Sequence, residues 1–216
     1  KLAKQTAVYG ISTIAVRFLS YLLTPVFTRV FEPEAYGIVT DVYALIPFAL
    51  VVLTMGLESA YFRFAAKADA AAAAAGGTEG EIAARARAGK RRLFATAWGV
   101  TLLAASLFFL LTAFGRERVA EWMGEAYVAH PEYVLLVAAV VWFDVAACLP
   151  FSRLREQGRA MTFVGIKALG VVVNVALAIG FALAGLYGTP FGVGWVFVAN
   201  LIASAVTFNV ILLTTD

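Results

Sequence analysis

The chain has 216 residues, of which 62% are hydrophobic and 14% charged, with a formal net charge of +3. A soluble domain is nearer half apolar and a quarter charged, and a chain of this size must still cover its surface with polar groups, so an ordinary soluble domain is excluded. The single cysteine, Cys148, excludes a disulfide within the chain and a cysteine metal site.

A bilayer core of roughly 30 Å needs about 20 apolar residues as a helix. Six segments meet that length: residues 8–28, 37–62, 93–114, 133–151, 162–187 and 193–214. Irregular backbone cannot face lipid, so each is read as a helix. The expected fold is a single all-α integral membrane lobe of six transmembrane helices spanning 1–216. The first segment is too long for a signal peptide, contains Arg17 and lacks a small-x-small cleavage site, so it is expected to remain as a helix. The chain begins without Met and ends abruptly after an apolar run, as a fragment would.

In the first segment Thr13, Arg17, Ser20, Thr24 and Thr28 recur at three or four residues, which places them on one helix face. A charge at mid-bilayer costs at least about 2.5–3.5 kcal/mol on the insertion scale, so this stripe is expected to line a cavity; the alternative is a buried ion pair. Pro25 beside it should kink the helix. Glu32-Pro33-Glu34 and Gly37 then predict a tight turn. In the second segment Thr40, Tyr43, Pro47, Thr54, Glu58 and Tyr61 form a comparable stripe, with Asp41 near one end and Glu58 near the other. Either carboxylate can instead reach an interface.

Residues 64–92 form a basic loop with six consecutive alanines (70–75), then Gly76-Gly77 and finally Lys90-Arg91-Arg92. Its charge reads as a topology signal on a linker, or as a contact with anionic lipid or a partner. Gly80 to Lys90 lacks the spacing of a phosphate loop, and no Ser or Thr follows the lysine. The loop at 115–132 predicts a short amphipathic helix in the interface plane, with Val119, Trp122, Met123 and Ala126 on one side. His130, the one histidine, has no metal partners nearby in sequence.

Counting depth from each helix end brings Arg17, Asp144, Asn174 and Ser204 to mid-membrane, a predicted central polar layer in which Arg17 pairs with Asp144. Lys167 lies seven residues before Asn174, on the same face, and shares a depth with Glu58, so those two are expected to pair. Cys148, in an apolar run, reads as a small buried hydrophobe. Gly165, Gly170, Gly180 and Gly185 permit close helix packing.

Lysine and arginine in the loops orient the chain. One side holds twelve: Lys1, Lys4, Arg63, Lys67, Arg85, Arg87, Lys90, Arg91, Arg92, Arg153, Arg155 and Arg159; the other holds three, Arg29, Arg116 and Arg118. Alternating in step with six spans, the bias puts both termini in the cytoplasm.

The run LSYLLTPVFTRVFEPEAYG, residues 19–37, resembles the start of bacterial polysaccharide-biosynthesis (O-antigen and oligosaccharide) flippases. Pro25, Thr28, Arg29, Pro33, Tyr36 and Gly37 carry the likeness, with Gly56-Leu57-Glu58 and Tyr61-Phe62-Arg63 continuing it. That superfamily also holds the lipid II flippases and the multidrug and toxin extruders. The resemblance implies an N-terminal lobe that faces a missing C-terminal lobe in the bacterial cytoplasmic membrane. It implies alternating-access flipping of an isoprenoid-pyrophosphate-linked oligosaccharide. Arg17 is placed to meet the pyrophosphate, and Thr13, Ser20, Thr24, Tyr43 and Asn174 to bond the cargo; Asp144, Glu58, Asp41 and Lys167 are candidates for coupling or ion pairs. Membrane lipids are expected partners; no metal, cofactor or nucleic-acid signature is present. A cation-coupled drug exporter is the alternative, although the first helix has no acid between Lys1 and Glu32. A membrane-embedded glycan enzyme or a non-transporting scaffold is less favoured, because the outer loops are short.

Overall fold

The computed structural model describes residues 23–214. Five stretches among them are long and apolar enough to cross a membrane: Pro33–Ala74, Glu79–Phe114, Pro131–Glu156, Ala160–Leu183 and Gly194–Thr214. The expected span at 8–28, with Thr13, Arg17 and Ser20, lies outside the described residues except for its end, which falls in helix α1 (Thr24–Val30).

Helix α2 (Pro33–Thr54) starts on the proline of the predicted turn, where a missing N–H costs nothing. The expected span 37–62 is not one helix. Met55 (φ 49°, ψ 30°) and Gly56 (φ 68°, ψ 11°) are both left-handed, and α3 (Leu57–Ala74) begins afresh. Glycine takes this conformation freely, whereas methionine pays roughly 1–2 kcal/mol for it. The break divides the expected polar stripe: Tyr43 and Pro47 stay on one helix, Glu58 and Tyr61 move to the next.

The basic segment 64–92 is helical through most of its length rather than a linker. Helix α3 runs through the alanines, the strongest helix formers. Gly76 and Gly77, both at positive φ, turn the chain. Helix α4 (Glu79–Phe114) then opens on a capping box between Thr78 and Glu81. The 36 residues of α4 span about 54 Å, against a bilayer core of roughly 30 Å, so the α3–α4 hairpin projects about 20 Å into water. Lys90 joins its two helices through Asp69 (2.8 Å) and ties it to the bundle through Glu156 (2.7 Å).

At the other end, α5 (Arg116–Met123) and α6 (Glu125–Val128) form the predicted short helical segment. Ala120 and Tyr127 are buried and Val119 and Met123 pack on the core, while Trp122 is 83% exposed and Ala126 is also exposed. Tyr127 donates to the Ile38 carbonyl (3.4 Å), pinning the segment to α2. Burial, helped by the charge of Asp41, pushes this hydroxyl up to about 12, so it stays a donor.

Helix α7 (Pro131–Glu156) is the axis of the lobe: 61% of its apolar window is buried, against 11% in α8 (Ala160–Leu183). Helices α2, α3, α4, α8 and α9 (Gly194–Thr214) all pack on it. Trp98 donates to the Ala146 carbonyl (2.9 Å) and Trp142 to Ser106 Oγ (3.1 Å), joining α4 to α7 where no water competes. A 3₁₀ turn, Leu186–Gly188, ends the expected 162–187 span beyond α8. Gly194 opens α9 beneath the rings of Phe191 and Tyr133, where an added Cβ would collide with both. Tyr133 is held there by its bond to the Phe191 carbonyl (2.7 Å). Gly194→Ala should therefore cost about 1–3 kcal/mol, read as a lower thermal midpoint in detergent; an unchanged midpoint would contradict this packing.

Candidate functional site

A cavity of about 380 Å³ opens on one flank of the lobe. Its walls come from α2 and α8 and its floor from α7 and α9. Helix α2 contributes Tyr43 and Pro47, α7 Asp144, and α8 Lys167, Gly170 and Asn174. Helix α9 contributes Asn200, Ser204 and Thr207, at i, i+4 and i+7 and hence on one face. Three of the four residues expected in a central polar layer thus meet at one site: Asp144, Asn174 and Ser204. The fourth, Arg17, is outside the described residues.

The Asp144 carboxylate lies beside the Ser204 hydroxyl and feels the charge of Lys167. Among the described residues Asp144 and Lys167 do not close into a direct ion pair. The ammonium of Lys167 instead stands over the Phe151 ring, 4.1 Å from its centroid. Lys167 is exposed through the open mouth of the cavity. The two opposite charges thus line one cavity without closing on each other. The Tyr43 hydroxyl is buried, faces Asn174, and among the described residues closes no hydrogen bond. A buried hydroxyl without a partner is uncommon and readily accepts one from a guest.

Other expected site residues fall elsewhere. Thr24 is exposed and outside the cavity lining; Leu23 takes its place there, and Thr28 bonds back to the Thr24 carbonyl (2.9 Å). Asp41 is exposed near Tyr127. The expected Glu58–Lys167 pair is not formed, because Glu58 makes its ion pair with Arg155 at the end of α7. Restarting the helix after Gly56 turns Glu58 toward α7, away from α8. Cys148 is half-buried and directs its Sγ at Glu58 (3.8 Å), so it is less inert in surroundings than its apolar run implies. His130 caps α7, bonds Glu132 (2.9 Å) and stacks on Tyr133, so it is half-buried rather than a freely solvated loop residue. Asn200 and Thr207 were not singled out from sequence, although their spacing with Ser204 carried the signal.

A cavity that gathers several polar and charged side chains within a largely apolar lining has room for a guest with polar groups, and comparison with known families narrows this. The model of the polysaccharide biosynthesis protein family matches residues 2–214. The chain belongs to this family. Membership and the five long apolar helices make it a multi-pass membrane protein connected with polysaccharide biosynthesis. No curated protein and no solved structure matches it.

Proposed function

We propose that the chain is the N-terminal lobe of a flippase that moves an isoprenoid-pyrophosphate-linked oligosaccharide across the bacterial cytoplasmic membrane by alternating access. The observation that carries this reading is the cavity: amide and hydroxyl groups of Tyr43, Asn174, Asn200, Ser204 and Thr207 suit sugar hydroxyls, beside a cation, Lys167. A pyrophosphate needs cationic partners to enter a low-dielectric site, and Arg17 and Lys167 would supply them. In this reading the lobe has six spans, both termini lie in the cytoplasm, and the open flank faces a second lobe that rocks against it. The protein acts as a transporter and not as an enzyme.

Asp144 in the same cavity favours a second reading, a cation-coupled drug exporter. The two separate on cargo. With the complete gene, loss of surface glycan that the normal protein restores and Arg17→Ala does not would support flipping. Normal glycan delivery by a stably inserted Arg17→Ala protein would remove Arg17 from the mechanism, and drug export without any effect on glycan would favour the exporter.

The proposed orientation has its own check. A cysteine at position 76, the hairpin tip, should react only with a membrane-permeant thiol reagent in intact cells, and one at position 125 also with an impermeant reagent. The reverse pattern would invert the topology.

A further inference from the structure

The opposite flank of α2 carries a second cavity, of about 350 Å³, between α2 and α4. Phe48 and Val52 of α2 and Phe108 of α4 form its sides, and Val137 and Ala138 of α7 its floor. Thr112 carries the one hydroxyl in its lining. The floor descends α7 from Val134 to Val141, about 10 Å of depth beginning at the membrane surface where α5 lies. Helices α2 and α4 also touch each other, so the gap closes to a wedge too narrow for a third helix about 10 Å across. A wedge of this kind admits a linear hydrocarbon chain.

The rim at the α5 end indicates what that chain is attached to. Trp122 lines the slot and is otherwise exposed. The same short helix carries Arg116, Glu117, Arg118 and Glu121, all exposed and outside the slot's own lining, two cations and two anions. Such a rim matches a headgroup bearing both a phosphate and an ammonium better than a purely anionic one. Helix α2 separates this slot from the polar cavity, which argues against the tail of a cargo whose head occupies that cavity.

We infer that the α2–α4 slot binds one acyl chain of a zwitterionic, amine-bearing membrane phospholipid, with its headgroup on α5.

The test uses full-length protein in vesicles containing brominated-chain phosphatidylethanolamine or phosphatidylglycerol at equal mole fraction. The emission of Trp122 is taken as the difference between the normal protein and Trp122→Phe. Brominated phosphatidylethanolamine should quench it at least twofold more than brominated phosphatidylglycerol. Val52→Phe, which fills the slot from an exposed position, should remove that excess. Arg116→Glu with Arg118→Glu should abolish the headgroup preference without filling the slot. Equal quenching by both lipids, or an excess that survives Val52→Phe, would overturn the assignment. Relief of quenching by added polyprenyl phosphate, with no headgroup preference, would also overturn it and give the slot to the cargo tail.

Discussion

Replacing Lys167 with methionine is expected to lower glycan delivery per inserted molecule at least tenfold in the full-length protein. A charge-assisted hydrogen bond to phosphate contributes about 1.5–3 kcal/mol, and about 1.4 kcal/mol is a factor of ten. The same change should lower the amount of inserted protein, because Asp144 then faces the cavity with only Ser204 beside it. Asp144→Asn in the same chain should restore the amount, since no uncompensated charge remains. It should not restore delivery, because the cation proposed to meet the cargo is still missing. Measuring membrane protein level and surface glycan together separates the two roles. Full recovery of both in the double variant would make the Asp144–Lys167 arrangement structural and leave the cargo without a ligand on α8.

The second large effect is expected at the hairpin end of the bundle, where Arg155 joins α7 to α3. Its guanidinium pairs with Glu58, bonds Ser152 Oγ at 3.2 Å, and lies over the rings of Phe62 and Phe163 at 5.4 and 5.6 Å. The two partners are 34% and 36% exposed, so the pair should contribute about 1 kcal/mol, not the 3–5 kcal/mol lost when a fully buried pair is broken. The ring contacts add roughly 0.5–1 kcal/mol. Arg155→Leu should therefore cost about 2 kcal/mol of stability in detergent, and Glu58→Gln less, because an amide oxygen still accepts from the guanidinium. The exchange Glu58→Arg with Arg155→Glu should recover the charge term but not the ring contacts, about half the loss. A Glu58→Gln protein as unstable as Arg155→Leu would show that the carboxylate does more than pair with Arg155.

These two sites also mark what could be read in the sequence. Apolar length reveals a helix wherever lipid demands one, so the membrane portions of α4, α7, α8 and α9 were legible. Depth is legible too, because each helix residue advances a fixed 1.5 Å, and this brought Asp144, Asn174 and Ser204 together. Direction around a helix axis is not, once the chain breaks. The left-handed pair at Met55 and Gly56 re-aims everything after it, so Glu58 was matched by depth to Lys167 when it faces Arg155. The hairpin stayed hidden for a different reason. Above the membrane nothing forces a helix to be apolar, and residues 64–92 hold theirs through alanine propensity, a capping box and the Lys90 bridges. Thr24 and Thr28 show the limit of a face argument: both are exposed, and Leu23 and Phe27 are the residues turned inward.

The central claim is that the polar cavity carries a lipid-linked glycan through the membrane. Transbilayer movement of a fluorescent polyprenyl-pyrophosphate oligosaccharide in proteoliposomes of the full-length protein tests it most directly. Movement well above protein-free vesicles, reduced at least tenfold when Val171→Trp fills the cavity from α8, is the predicted result. No acceleration by the normal protein, or acceleration that Val171→Trp leaves intact in a correctly folded sample, would contradict it.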